Sequence, residues 1–159
     1  MSGELSDSAK RAQAALAGFG LGFEVVEFDR STGTSAQAAA AIGCETAQIA
    51  KSIVFRIKSQ DRPLMVAASG VNRIDEKKIR EVIGEKPGKA EADFVRARTG
   101  YVIDGVPPLG RAEAIETLID EDLFRFEEIW AAAGTPRAVF RLTPEQLLRI
   151  TGGRRAAVA

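Results

Sequence analysis

Two apolar stretches separated by five turn-forming residues constrain this chain more than anything else in it. Lys51 to Lys58 places Ile53, Phe55 and Ile57 alternately on one face, and Val54 adds partial burial of the other. Leu64 to Ala68 is a second such run, and Ser59-Gln60-Asp61-Arg62-Pro63 between them has the composition of a turn. The expected product is an antiparallel hairpin.

Helix and strand signals surround it. Ser6 to Gly18 is alanine-rich, with Ser6 or Asp7 to cap it and Gly18 or Gly20 to end it; Phe23 to Phe28 is β-branched and aromatic and reads as a strand. Thr34 or Ser35 caps a second alanine-rich helix, Ala36 to Ile42, closed by Gly43. Its small-residue face is suited to close packing on a sheet. Asp75 caps Glu76 to Ile83 before Gly84, and Ala92 to Arg98 is a short helix ending at Gly100. Ile115 to Ile119 and Ala138 to Leu142 read as strands, and Thr143 with Pro144 opens a last helix that Gly152-Gly153 ends. Leu123 to Ala133 is ambiguous: its start suits a strand, whereas Glu127 to Ala133 has helical composition. Arg154 to Ala159 reads as a loose tail. Strands interleave irregularly with helices, so residues 1–159 are expected to form a single domain of mixed α/β or α+β class.

Composition excludes several chemistries. The chain has no histidine, which removes Ser-His-Asp and Cys-His catalysis and nearly every zinc site; no metal or other cofactor is expected. Cys44 is the single cysteine, so an intrachain disulfide is impossible, and a small part-buried side chain is expected there. Lys plus Arg and Asp plus Glu number 22 each, without the basic excess of a dedicated duplex binder; DNA is not an expected partner. A zero sum still permits a local patch for a few RNA phosphates. No apolar run approaches the ~20 residues that span a bilayer, and Met1 to Lys10 does not resemble a secretory signal, so a cytoplasmic location away from membranes is expected.

Thr99 to Gly110 is the unusual segment. Gly100, Gly105 and Gly110 stand five apart, and Pro107 and Pro108 lie between the last two. Glycine permits positive φ and close backbone approach, while proline fixes φ and has no N–H. The result is a stiff loop that displays main-chain amides and carbonyls. It reads either as a pocket wall or as a hairpin connection with a proline corner.

Thr99 to Gly110 resembles the central loop of the YbaK/prolyl-tRNA-synthetase-associated domain family, the aminoacyl-tRNA editing deacylases. Gln48 to Phe55 and Ala68 to Asp75 are similar to two further segments of that family, in the same order. Ile119 to Leu123 and Thr143 to Leu147 extend the likeness, which runs from about Phe23 to Gly153. The resemblance implies a mixed, barrel-like β-sheet surrounded by helices, with a ligand cleft beside the central loop. It implies a free-standing enzyme that hydrolyses, in trans, the ester of a small amino acid mischarged on tRNA, with prolyl-tRNA-type editing expected. The partners implied are the aminoacyl-tRNA 3′ end and a synthetase. A non-catalytic module that binds tRNA ends or a nucleotide in the same cleft is the alternative, and a protein-interaction domain a third.

Residue by residue, Lys51 corresponds to the family lysine most associated with deacylation, with an electrostatic role toward the terminal phosphate or the substrate carbonyl. Read without the family, it is an exposed lysine at a strand end. Gly105 and its neighbours would supply main-chain dipoles for the developing oxyanion, without a protein nucleophile. The pocket wall implied comprises Ser69, Gly70, Gly100, Tyr101, Ile103, Asp104, Val106, Pro107, Pro108 and Gly110. A Ser69–Lys51 dyad is a less favoured alternative. Asp104 stands where many relatives have glycine, and Arg111 where they often have histidine. For RNA contact Arg73 and Lys77 lead, with Lys78, Arg80, Arg96 and Arg98 also on offer; a solvated helix face is the plainer reading of these charges.

Overall fold

A computed structural model of the chain describes residues 4–109 and 115–159. Gly110 and Arg111 therefore lie outside the described residues. The hairpin forms β2 (Ile49–Ile57) and β3 (Arg62–Ser69), paired antiparallel from Ala50↔Ser69 to Ile57↔Arg62. Around it run β1 (Val25–Glu27), β4 (Gly88–Lys89), β5 (Glu116–Asp120), β6 (Ile129–Ala132), β7 (Ala138–Leu142) and β8 (Arg154–Ala156). Among the described residues they make one eight-stranded mixed sheet in the order β1-β7-β6-β2-β3-β5-β8, with β4 on β2. Five α-helices among the described residues flank it: α1 (Asp7–Ala17), α2 (Ser35–Ile42), α3 (Glu76–Ile83), α4 (Ala92–Thr99) and α5 (Pro144–Thr151).

Alternation along β3 divides the core. Met65 and Ala67 face one apolar cluster with Ala12 and Leu16 of α1, Val95 of α4 and Leu147 of α5. Leu64, Val66 and Ala68 face the other, beneath Ile79 of α3. β3 is buried on both faces, as a central strand with helices on either side must be. The caps follow local chemistry. Thr34 and Thr143 each accept the N–H three residues on and close a capping box with Gln37 and Gln146; Asp75 accepts the amide of Lys77.

Two expectations are corrected. Ile129 to Ala132 is a strand despite the helical composition of Glu127 to Ala133, because it is paired with β7 along its length and with β2 at Trp130 and Ala131. Arg154 to Ala156 is a strand on β5, not a loose tail. Val158 is fully buried against the α3 side, and its carbonyl accepts the amide of Asp75. No helix among the described residues is long and apolar enough to cross a membrane.

Candidate active site

The site arises from a gap in the sheet. One edge of β2 is covered continuously by β3; the other meets β6 only at Ile49 and Ala50 and β4 only at Phe55 and Arg56. Lys51 to Val54 are left without a strand on that side among the described residues. Successive peptide groups of a strand point to opposite edges, so this stretch turns main-chain donors and acceptors toward the opening.

Two clefts occupy the gap. The smaller, about 40 Å³, is bordered by Lys51, Ala38, Trp130 and Ala131 and by Thr34 and Ser35 at the start of α2. The larger, about 180 Å³, is bordered by Ile53, Val54, Val95 and Ile103. Ser52, Asp104 and Val106 belong to both, so they mark the junction.

Lys51 is half-buried and forms no hydrogen bond or ion pair with any described residue. The positive end of the α2 dipole borders the same space. Beside it, the Ser52 hydroxyl is the one buried side-chain oxygen or nitrogen among the described residues that has no partner. Such a group costs about 1–3 kcal/mol unless something bonds to it. The unsatisfied hydroxyl can bond an anionic or carbonyl oxygen, while Lys51, which leaves the opposite face of the strand, sets a positive charge on the smaller cleft.

The glycine-proline loop supplies the facing wall. Asp104 has φ 68°, the left-handed conformation that glycine adopts freely and Asp tolerates better than most residues. Gly105 is pressed against Thr135: a Cβ there would stand 2.9 Å from the Thr135 Cα. Its amide donates to Val102 O at 3.0 Å and its carbonyl accepts from Gly134 N at 2.8 Å. This corrects the expectation of a free main-chain donor at Gly105, because both its polar groups serve the loop itself. Val106 and Ile103 reach the clefts; Pro107 and Pro108 are buried and line neither. Nor do Gly100 and Tyr101. Gly100 ends α4 at φ 80°, its carbonyl accepting from Arg11 at 3.0 Å, and the buried Tyr101 ring carries the Arg11 guanidinium at 4.7 Å.

Ser69 and Gly70 are also absent from both linings. Ser69 is 1% exposed; its amide donates to Asp120 Oδ2 at 3.0 Å and its hydroxyl to Ala47 O at 2.7 Å. Those bonds leave no room for a Ser69–Lys51 dyad. Gly70 permits close packing, since a Cβ would lie 2.4 Å from Thr46 O and 2.7 Å from Ser35 Cβ. Arg73 and Lys77 border a separate, open depression at the start of α3, with Asp75, Glu76 and Ala159. Cys44 packs with Ile42 and Trp130 outside the clefts, where burial pushes its thiol pKa up despite a backbone hydrogen bond, and Glu45 adds to the rise.

Sequence reasoning missed Ser52, the α2 N-terminus and Trp130 as lining residues. The Thr34 cap was the available signal for the second. Nothing local marks the first, since a serine in an apolar strand has no signature of its own.

Comparison with known proteins bears on this arrangement. A family model for the aminoacyl-tRNA editing domain matches residues 29–150. The chain is 37% identical over 124 residues to the uncharacterized protein YwhH of Bacillus subtilis (strain 168), covering 78% of each. A crystal structure of a candidate trans-editing enzyme for prolyl tRNA synthetase superposes with TM-score 0.91 at 43% identity, over 98% of both chains. Hypothetical protein APE2540 superposes with TM-score 0.84 at 25% identity, over 93% of this chain and 98% of that one.

Proposed function

Since the chain belongs to the aminoacyl-tRNA editing domain family, we propose that it hydrolyses, in trans, the ester linking a small, wrongly attached amino acid to tRNA. The observation that carries this reading is the unsatisfied Ser52 hydroxyl at the junction of the two clefts, with the unpartnered Lys51 bordering the smaller one. The smaller cleft has room for about three waters, a scale that admits a methyl or hydroxymethyl group and excludes a large side chain. Its walls Ala38, Ala131 and Trp130 set that limit. The larger cleft, with Ile53, Val54, Val95 and Ile103, is suited to the terminal nucleoside. The ester then lies at Ser52, between them.

In this arrangement a water molecule adds to the ester carbonyl. The carbonyl oxygen becomes an oxyanion that the Ser52 hydroxyl is placed to bond, with the Lys51 ammonium supplying positive charge from across the strand. On collapse the bond from the acyl carbon to the ribose oxygen breaks, and that oxygen leaves with the proton the water gives up. The neighbouring ribose hydroxyl helps to position the water. No imidazole and no protein nucleophile enter. Asp104, exposed at the rim, is an anion suited to the substrate ammonium. Selection against small amino acids has a physical basis, because a synthetase pocket separates one methylene by only ~1–3 kcal/mol and a second sieve restores fidelity. The likeness to the candidate trans-editing enzyme for prolyl tRNA synthetase supports tRNA charged for proline as the carrier.

The test is release of amino acid from a panel of tRNAs charged with alanine, serine, cysteine, leucine or phenylalanine. The small esters are expected to be cleaved and the large ones spared. Equal release by wild type and Lys51→Ala on every tRNA would end the enzymatic reading and leave a binding module.

A further inference from the structure

The larger cleft is bounded at one end by Val54 of β2 and Val95 of α4. Beyond it on the same face of β2 stands Arg56, and beyond Val95 on α4 stand Phe94 and Arg98. Phe94 and Arg98 are four apart and share one side of the helix. The Arg56 guanidinium lies 5.0 Å from the Phe94 ring centroid and that of Arg98 5.1 Å. Both also reach Asp61: Arg56 Nη2 at 2.7 Å from Oδ1, Arg98 Nη2 at 3.3 Å from Oδ2 and 2.8 Å from the carbonyl. Two guanidiniums thus share one carboxylate and one ring, a cluster held in position that carries a net positive charge. Glu91 caps α4 and Asp93 precedes Phe94 in its first turn, a turn away from Arg98.

We propose that the Arg56–Phe94–Arg98 cluster binds the phosphodiester backbone of the unpaired 3′ strand whose terminal residue enters the cleft. The inference rests on the editing reading and extends it to the polymer. Spacing supports it. From Ser52 to Arg56 the strand advances about 13 Å at ~3.3 Å per residue. A stacked strand carries one phosphate per ~3.4 Å, so about four stacked nucleotides, or fewer if extended, span the distance. That is the reach of the single-stranded tail with which tRNAs end. Alternate residues on one face of the strand act as a ruler: ester at Ser52, terminal nucleoside at Val54, backbone at Arg56. Guanidiniums already preorganised by a ring and a carboxylate lose little freedom on meeting phosphate, and their planes can also stack on an unpaired base. Arg73 and Lys77, in their separate depression, do not continue this path.

The experiment uses fluorescence anisotropy with two labelled RNA hairpins, one ending in four unpaired 3′ nucleotides and one blunt, titrated at several salt concentrations. Arg56→Gln/Arg98→Gln is expected to weaken binding of the tailed hairpin and to lower the slope of log K against log salt by about 0.7 for each phosphate that is no longer neutralised. Binding of the blunt hairpin should not change. Arg56→Lys/Arg98→Lys, which keeps the charge, should retain most of the slope, and a thermal melt shows that each variant is folded. An unchanged slope on the tailed hairpin, or an equal loss on both hairpins, overturns the proposal. Deacylation by wild type separates the two readings: activity with an unchanged slope sinks only the cluster, whereas neither activity nor binding sinks both.

Discussion

Ser52 and Ser69 stand on adjacent antiparallel strands, Ser52 opposite Ala67 and Ser69 opposite Ala50. Both lie in segments that mark the family, and both hydroxyls are withdrawn from bulk water. Their surroundings are opposite. Ser69 donates through both its amide and its hydroxyl to fixed partners, and Asp120 Oδ2, which accepts that amide, also accepts Asn72 Nδ2 at 2.8 Å. Ser52 Oγ has nothing. Ser69 belongs to a completed structural knot, whereas Ser52 carries a polar group held in reserve. The difference teaches that a motif residue is informative about chemistry only once its hydrogen bonds have been accounted for, because an occupied group has no bond left for a substrate.

The largest effects should come from the charged member of each region and should fall on different observables. Lys51→Ala is expected to lower kcat/KM for small aminoacyl esters by about 10²–10³, the usual loss when preorganised stabilisation of an oxyanion is removed. Its thermal midpoint should hardly move, since the ammonium has no partner to lose. Asp120→Ala is expected to do the reverse. Asp120 is 1% exposed and accepts from Ser69 N, Asn72 Nδ2 and Asp122 N. Stranding such donors should cost about 3 kcal/mol in urea unfolding, with activity per folded molecule retained. A large activity loss in folded Asp120→Ala would erase the division between the two regions.

The serines themselves give a smaller but sharper contrast, in sign. Ser69→Ala removes the 2.7 Å bond to Ala47 O and should destabilise by about 1 kcal/mol without changing turnover. Ser52→Ala removes an unsatisfied buried hydroxyl, so the fold should be unchanged or slightly more stable. Activity should nevertheless fall about tenfold, the worth of one neutral hydrogen bond made in the transition state. Paired melts and steady-state kinetics on the two variants check this. If Ser52→Ala loses stability and keeps activity, its hydroxyl is structural after all.

How much of this is legible in the sequence depends on how local its cause is. The caps at Thr34, Asp75 and Thr143 are readable because a side chain meets an amide two or three residues on. So is the hairpin, whose strands and turn are each marked within a few residues of sequence. β6 is not, because pairing with β7 and β2 outweighs the helical composition of Glu127 to Ala133. β8 is not, because what holds it is the burial of Val158 against residues far away in sequence. The cleft follows the same rule. Lys51 and the loop stand out through family likeness, but the gap that admits a ligand exists because β6 leaves β2 after Ala50 and β4 joins it only at Phe55. No window around Ser52 contains that information. Pro107, Pro108 and Gly70 resemble pocket residues in the sequence yet serve packing, and only distances tell the two apart.

The smallest expected effect concerns a second completed knot, and it extends the contrast to pH. Glu27, 8% exposed, is buried enough that desolvation alone would raise its pKa. Bonds from Ser6 N at 2.7 Å, Ser6 Oγ at 2.9 Å and Thr135 Oγ1 at 3.0 Å, with the charge of Arg137 nearby, outweigh that and hold it below the ordinary value of 4.5. A carboxyl whose pKa is lower folded than unfolded contributes stability above the unfolded value and loses it as pH falls through the folded one. Wild type should therefore lose midpoint temperature below about pH 4.5 more steeply than Glu27→Gln, whose amide cannot titrate. Because Thr135 also backs Gly105, the same variant asks whether this knot steadies the loop that carries Asp104 and Val106 to the cleft. If Glu27 acts on stability alone, kcat/KM at neutral pH will match wild type while the acid limb flattens. A drop in kcat/KM at full folding would show instead that a satisfied node can govern an unsatisfied one through the backbone between them.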